Sequence, residues 1–362
     1  LNRFFISFDL IKMNKINGEI ISKASQSLLT KVKPRVAGVL VARFGLGESS
    51  KQSLSKIGGE LGVTRERVRQ IEANALKQLK KTSKDEDFKQ IVEGAIEVIA
   101  ENGGVCEGSL IGELMLSGLS EIEENQLIFI LNCSSKLVFN KSTLKNNSFW
   151  SLKKGVKKND IFETNDYIFN QLNEIEKSIK LKGIKGILAD SKFSRLFEDE
   201  TGDKKLEMFL FIDKRLKRNL LGEWGIKNWR SVSERGNKEK AYLVLKKKNK
   251  PLHFRHITDH INIYWKNKKS LPQTVHNELI KDERFVLVGR GTYGLSEWGL
   301  KGGTVREIIV SLFKEKQDHL HPDEIIDYVF SHKEVKRTTI LVNLANQNYF
   351  IKNSEGKYFL KS

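Results

Sequence analysis

Cysteine is nearly missing: Cys106 and Cys133 are the only two in 362 residues. Two thiols cannot make a disulfide framework, and no Cys pair stands at zinc-finger spacing. The expected setting is a reducing one, cytoplasmic and nucleoid-associated. Long apolar runs are missing as well. No stretch approaches the ~20 residues of a membrane helix, so no membrane partner is expected. The apolar run at residues 4–10 contains Asp9 and is too short for a secretory core. Leu1 stands first and Met13 is the earliest Met, so the start is expected upstream or at a non-standard codon. There is no Gly-x-Ser-x-Gly elbow, no Cys/His nucleophile pair and no Gly-Lys-Ser phosphate loop. An enzyme is therefore not expected, nor a cofactor, a metal or a small-molecule substrate.

Acidic residues are outnumbered. Lys and Arg total 63 against 45 Asp and Glu, a formal charge of +18. Such an excess points to a polyanion, usually nucleic acid; the plain alternative is solubility in a Lys-rich proteome. The hydrophobic fraction is 39% and the charged fraction 30%. That predicts several small units with modest cores instead of one large enzyme core.

Residues 31–84 are the most readable block. Pro34 suits a first helical turn, and the helix should run to Phe44, broken by Gly45, Gly47 and the pair Ser49 and Ser50. Ser53 is an N-cap for a short helix over 54–61. Gly62 makes a tight turn, and Thr64 caps a helix from Arg65 to about Leu79. Two helices joined by a short Gly turn outline a helix-turn-helix. At 100° per residue, Val68, Ile71, Ala75 and Leu79 share one face, which should pack on Leu54, Ile57 and Leu61. Arg65, Glu66, Arg69 and Gln70 gather roughly 160° away, where they are free to enter a major groove. Arg pairs with guanine, Gln with adenine, and Glu accepts from cytosine. The bland alternative is a solvated face with i to i+4 pairs.

After residue 86 one theme repeats: a helix, two shorter helices, then two strands around a polar turn. In three copies an apolar strand begins six residues after the helix-ending Leu: Leu131 and Leu137, Leu279 and Phe285, Leu344 and Phe350. These copies end in Phe149-Trp150, Trp298 and Tyr358-Phe359. A further copy, about 160–232, has Ile168, Leu172, Ile175 and Ile179 on one face of a helix expected over 165–180. The order is that of a winged helix. Periods of about 60–75 residues exceed usual solenoid units, so separate beads are expected. The cationic runs Lys153-Lys154, Lys157-Lys158 and Lys246-Lys247-Lys248 are either solvated ends or phosphate contacts.

Arg43-Phe44-Gly45-Leu46, Ser53-Leu54-Ser55-Lys56-Ile57-Gly58, Leu61-Gly62-Val63-Thr64-Arg65-Glu66-Arg67-Val68-Arg69-Gln70-Ile71-Glu72 and Ala75-Leu76 resemble region 4 of primary bacterial sigma factors, over about residues 35–80. The resemblance implies a domain that reads the promoter minus-35 element and docks on the β flap of RNA polymerase. It implies that Arg65, Glu66, Arg69 and Gln70 face bases, Thr64 caps their helix, and Arg43, Ser53, Leu54 and Arg67 lie at the DNA backbone or its margin. Ser53 replaces a usual Thr, and Asn74 stands where Lys is common, removing one phosphate contact. About 30 residues precede this block without an aromatic-rich helix that melts the minus-10 element, so promoter opening as by a full sigma factor is not expected.

Lys250-Pro251-Leu252-His253-Phe254, Pro272-Gln273-Thr274-Val275 and Asp282-Glu283-Arg284-Phe285, followed by Gly289-Arg290-Gly291-Thr292-Tyr293-Gly294-Leu295, resemble a HARE-type winged helix, over about 237–300. That family includes the N-terminal domain of the RNA polymerase delta subunit. It implies a DNA-binding or polymerase-associated module. Gly289-x-Gly291-x-x-Gly294 spells a dinucleotide fingerprint, with Glu315 near the right distance, but a strand over 295–298 is expected where that motif needs a helix. Pro322-Asp323 with Glu355-x-Lys357 imitates a nuclease site; a helix start and a hairpin turn are expected instead. His253, His256 and His260 have spacings that suit zinc, but read better as one capping and two surface histidines.

The expected fold is mainly α with small β-hairpin wings, a helix-turn-helix followed by tandem winged helices. The expected divisions are an N-terminal extension at 1–30, the helix-turn-helix at 31–84, and winged helices at 88–154, 160–232, 236–300 and 303–362. The expected function is a DNA-binding regulator of transcription initiation acting on promoter duplex with bacterial RNA polymerase. The alternative is a delta-like polymerase accessory working through protein contacts. A targeting subunit of a restriction system is a third reading.

Overall fold

The computed structural model describes residues 16–361 except 48–49, 84, 117, 267–268, 301 and 334. The apolar run at 4–10, Met13 and the helix break at Ser49 lie outside the described residues. By packing, the described chain divides into two bodies, one holding 16–217 with 224–228 and the other 218–223 with 229–361.

The first body opens with α1 (Gly18–Thr30) and α2 (Pro34–Phe44). Asn17 caps α1 by accepting from the Ile20 amide at 2.9 Å. Pro34 sits at the start of α2, where its missing N–H costs no hydrogen bond. Gly45 ends α2 at φ +65°, a left-handed conformation that glycine adopts without strain. Then come α3 (Leu54–Leu61) and α4 (Arg65–Thr82). Helix α4 runs three residues beyond the expected Leu79, and Ser83 closes it through Oγ to the Leu79 carbonyl at 2.7 Å.

The winged theme follows. In the first copy α5 (Glu86–Glu101), α6 (Ile111–Met115) and α7 (Glu121–Asn132) accompany β1 (Val105–Glu107), β2 (Leu137–Asn140) and β3 (Phe149–Leu152). Ser120 and Glu123 form a reciprocal capping box that starts α7. The second copy has α8 (Lys158–Ile175), β4 (Ile179–Lys180), α9 (Leu181–Ala189), a short 3-10 turn, α10 (Gly202–Ile212), β5 (Leu216–Arg218) and β6 (Glu223–Ile226). The helix expected over 165–180 therefore begins earlier and stops at Ile175. Glu176 turns left-handed at φ 54° and ends it. Ile179 continued the helical spacing in the sequence but lies in a strand.

The second body holds α11 (Asn237–Lys248), β7 (Leu252–His253), α12 (Phe254–Tyr264), α13 (Pro272–Lys281), β8 (Phe285–Gly289) and β9 (Thr292–Leu295). Its last copy is α14 (Val305–Lys316), α15 (Pro322–His332), α16 (Arg337–Leu344), β10 (Phe350–Lys352) and β11 (Tyr358–Leu360). The strand expected over 295–298 is short: β9 stops at Leu295, and Ser296–Trp298 is a 3-10 turn.

The repeat shows most clearly in the sheets. The strand orders are β1-β3-β2, β4-β6-β5 and β7-β9-β8. In each, the last strand lies between a short strand that precedes the second helix and its own hairpin partner. The fourth copy pairs β10 with β11, and a bridge from Leu320 to Tyr358 stands in for the short strand. The fold is thus mainly α with small antiparallel wings. Of the aromatic ends, Phe149 and Trp150 are fully buried, while Trp298, Tyr358 and Phe359 are half-buried; Trp224 of the second copy and Phe350 at the start of the last hairpin are fully buried as well. Each buried aromatic of this size removes about 150–250 Å² from water. Among the described residues no helix is long and apolar enough to cross a membrane.

Candidate nucleic-acid interface

The helix-turn-helix rests on a small core. Val39 of α2, Ile57 of α3 and Val68 of α4 are buried together, flanked by Ala42, Leu54, Leu61, Val63 and Ile71. Two glycines set the turn. Gly62 is left-handed at φ +64°, and the Val63 amide donates to the Gly58 carbonyl at 2.9 Å. A Cβ on Gly58 would meet the Val63 carbonyl oxygen at 2.6 Å, so the close approach of turn and helix requires glycine there. The result is an open groove lined by Gly58, Gly59, Gly62, Val63, Thr64 and Arg67.

Both helix starts are capped by hydroxyls. Ser53 Oγ accepts from the Lys56 amide and Thr64 Oγ1 from the Arg67 amide, each at 3.2 Å. Arg65, Glu66, Arg67, Arg69 and Gln70 are all exposed on the first two turns of α4, away from the core formed by Val68, Ala75 and Leu79. Arg69 Nε donates to Glu66 Oε2 at 2.8 Å and Nη2 to Oε1 at 2.6 Å. This bidentate pair leaves both groups more than half exposed. The hydrogen bond from Arg69 holds the Glu66 carboxyl below the usual carboxylate range, and Glu66 raises the Arg69 guanidinium in turn. Arg67 Nη1 donates to Gln70 Oε1 at 3.4 Å. The face thus presents coupled donor and acceptor groups instead of a bare cationic strip.

Two residues expected at the DNA margin face inward. Leu54 packs its side chain on the three-helix core. Arg43 is a strut: Nε meets Glu72 Oε2 at 3.3 Å and Nη1 donates to the Gln52 carbonyl at 3.1 Å. Glu72 is largely buried, and a carboxylate so placed needs a cation. Sequence spacing could not show that Arg43 points at Glu72, 29 positions away.

The decoy motifs resolve into structural parts. Gly289 ends β8, Gly291 turns at φ +64° and Gly294 lies in β9, so the fingerprint is a hairpin. Glu315 lies in α14 and accepts from the Tyr328 hydroxyl at 3.2 Å. Asp323 opens α15 and pairs with Arg337 at 2.8 Å, while Glu355 lies in the wing turn near Lys357. His253 caps α12 by accepting from the Arg255 amide at Nδ1, 3.3 Å. Burial, then the nearby Arg255, His256 and His276, push its imidazole pKa down, which keeps the neutral acceptor form. No group of three or more His, Cys, Asp or Glu among the described residues could hold a metal.

Charge is unevenly spread over this fold. Residues 31–84 carry 13 Lys and Arg against 4 Asp and Glu, and residues 236–300 carry 13 against 6. Residues 88–154 carry 6 against 8, and residues 303–362 carry 9 against 8.

A capped helix-turn-helix with an exposed polar second helix defines a DNA-binding type of domain. Residues 28–81 match the family model of sigma-70 region 4, and residues 237–298 that of HARE-HTH, a helix-turn-helix domain named in part for restriction endonucleases. Over 67 residues the chain is 39% identical to RNA polymerase principal sigma factor HrdD of Streptomyces coelicolor, covering 18% of this chain and 20% of that protein. Over 75 residues it is 37% identical to RNA polymerase sigma factor SigA of Listeria monocytogenes, covering 21% of this chain and 20% of that one. The chain therefore spans about a fifth of the length of these relatives. It carries a sigma region 4-type DNA-binding domain and, separately, a HARE-type one.

Proposed function

We propose that this protein is a regulator of transcription initiation whose α4 reads a minus-35-like promoter element and which acts with bacterial RNA polymerase. No catalytic role is assigned to it. The observation that carries the reading is the exposed set Arg65, Glu66, Arg69 and Gln70 at the capped start of α4, opposite the buried Val68 and Leu79. Arg67, Ser53 and Thr64 border that face, where phosphates would pass. The domains take the limits read from the sequence, 31–84 for the reader and four winged modules after it. Tandem modules raise affinity through effective concentration.

The test is selection of bound duplexes from a random library, with the wild type and an Arg65/Glu66/Arg69/Gln70 quadruple Ala variant side by side. The expected result is a minus-35-like motif that the variant loses. Enrichment of nothing by either protein refutes sequence reading by this chain.

One observation favours the second reading, a polymerase accessory acting through protein contacts. Helix α16 of the fourth module buries Ile340 and Leu344 but exposes Leu341 and Val342, the latter at 71%. Two adjacent exposed apolar side chains suit a protein contact more than a base edge, although Arg337, Thr338 and Thr339 are exposed on the same helix. A DNA binder should lose affinity with salt at a log-log slope of about −0.9 per phosphate contact. A slope near zero on naked duplex would favour the accessory.

A further inference from the structure

In the first winged module the third helix, α7, is covered on more than its own core side. Its sequence already differs from an amphipathic helix: Leu127, Phe129, Ile130 and Leu131 are buried, and so are Asn125 and Gln126. Helices α1 and α2 supply the cover. Gln126 Oε1 accepts from Ser22 Oγ of α1 at 2.8 Å. Phe129 meets Phe44 of α2 with ring centres 5.3 Å apart. Asn125, 6% exposed, donates from Nδ2 to the Gly45 carbonyl at 3.1 Å.

That last bond falls where α2 ends. A Cβ on Gly45 would lie 3.1 Å from Asn125 Nδ2, and the residue is left-handed besides, so glycine lets α7 come this close. Two residues earlier in the chain Arg43 reaches the Gln52 carbonyl and Glu72. The Gln52 amide donates back to the Ala42 carbonyl at 2.9 Å. Contacts therefore run without a gap from α7, through the end of α2, to the residue before the Ser53 cap and to α4. Lys51, in the same segment, is exposed and lies near Glu121 and Glu124 of α7. Ser27 donates to Asp85 at 2.9 Å, and Lys31 also bonds it, so the start of α5 is tied to α1 as well.

We propose that α7 is a positioning platform for the helix-turn-helix and not a reader of nucleic acid, with Asn125 the positioning residue that fixes the end of α2. The inference rests on α4 being the DNA-contacting helix. The face of α7 that a reading helix would turn to a groove is occupied by α1 and α2. The module also carries more acid than base, 8 Glu against 6 Lys over residues 88–154, which disfavours phosphate. Holding α3 and α4 in place before binding removes an ordering cost that a loose helix pair would meet on DNA.

The test uses the full chain and two duplexes, the motif selected by the wild type and a scrambled one, at fixed salt. Asn125→Asp keeps the side-chain shape but sets a carboxylate against the Gly45 carbonyl. Asn132→Asp is the control: Asn132 Nδ2 donates only within α7, to the Ile128 carbonyl at 2.8 Å. Arg69→Ala reports on reading itself. Asn125→Asp should bind the selected duplex about tenfold more weakly, the scale of one lost buried hydrogen bond. The scrambled duplex should be unaffected, and amide exchange should quicken over 45–61 but not in α5. Asn132→Asp should behave as wild type. Wild-type binding by Asn125→Asp, or equal losses in both variants, overturns the platform and leaves reading by α4 standing. A wild type that does not prefer the selected duplex, with Arg69→Ala indifferent, overturns both.

Discussion

Gly58 and Gly59 are adjacent residues of α3, and Ala should act on them with opposite signs. At Gly59 a Cβ has nothing within 4 Å. The gain there is the ordinary helix preference of Ala over Gly, about 0.8–1 kcal/mol, reduced because the site lies in the last turn. At Gly58 the same gain is set against a clash. The new Cβ would lie 2.6 Å from the Val63 carbonyl oxygen and 3.4 Å from the Arg65 amide nitrogen. An ordinary C···O contact is about 3.3 Å, so the carbonyl must retreat by roughly 0.7 Å. The obstacle is backbone, and the same segment closes the turn by the Val63 to Gly58 hydrogen bond at 2.9 Å. Overpacking of this kind costs about 1–3 kcal/mol, and a lost bond about 1 more. The net for Gly58→Ala is destabilisation by about 1–3 kcal/mol. The chain has two bodies, so one melting temperature would mix them. The assay is amide hydrogen exchange in α3 and α4, converted to local opening free energy. Gly58→Ala should lower it, and Gly59→Ala should leave it equal or raise it. Equal or greater protection in Gly58→Ala would refute the claim that the turn is set by backbone contact at this glycine.

Three further outcomes follow. Arg69→Ala should cost about 1–3 kcal/mol at one base position if the guanidinium is bidentate to a base, and a uniform loss across sequences if it meets phosphate; binding to a panel of single-base variants separates the two. Asp85 is held below the usual aspartate range by hydrogen bonds from Lys31, first, and Ser27. A carboxyl with a lowered folded pKa stabilises above its ordinary value of about 3.9 and loses that contribution as pH falls through the lower folded value. The pair is partly exposed, so the effect is small, and Asp85→Asn should slightly lower protection in α1 at neutral pH and flatten its acid limb, converging on the wild type once Asp85 is protonated. Gly291→Ala should destabilise the third winged module by about 1–3 kcal/mol, because φ is +64° and a Cβ would meet His253 Nε2 at 2.8 Å. Fluorescence of Trp265 and Trp298 during denaturation would report it.

The parts legible in the sequence were those written in local chemistry. Ser53, Gly62 and Thr64 fixed helix limits because caps and left-handed turns depend on one residue each. The face of α4 was legible because period 3.6 separates Val68 and Leu79 from Arg65 and Arg69. The parts not legible depended on long-range partners. Arg43 looks like any surface arginine until Glu72 is placed beside it. The short strands β1, β4 and β7 have two or three residues each, too few for alternation to register. Ile179 shows the opposite failure, a helical spacing kept by accident past a left-handed Glu176. Covering of α7 has a local signature too. A helix apolar at 127–131 without a break, with Asn125 and Gln126 before it, has no free face to give to solvent.

One module repeated four times need not do one thing, and two independent quantities separate the copies. A winged helix that follows phosphates needs an uncovered third helix and a surplus of cations. Helix α7 has neither, since α1 and α2 lie on it and its module is net acidic. Helix α10 is buried nearly all round, from Lys205 to Ile212. Helix α13 has both: only Val275 and Leu279 are buried, Gln273, Thr274 and Asn277 are exposed or partly so, and its module has 13 basic against 6 acidic residues. Helix α16 is uncovered and exposes Leu341 and Val342 beside Arg337, Thr338 and Thr339, in a module with 9 against 8. Burial and charge thus agree for α7 and α13, although neither determines the other. Most of the +18 charge sits in the helix-turn-helix and the third winged module. Salt should therefore weaken contacts made by these two modules and leave contacts made by the fourth nearly unchanged.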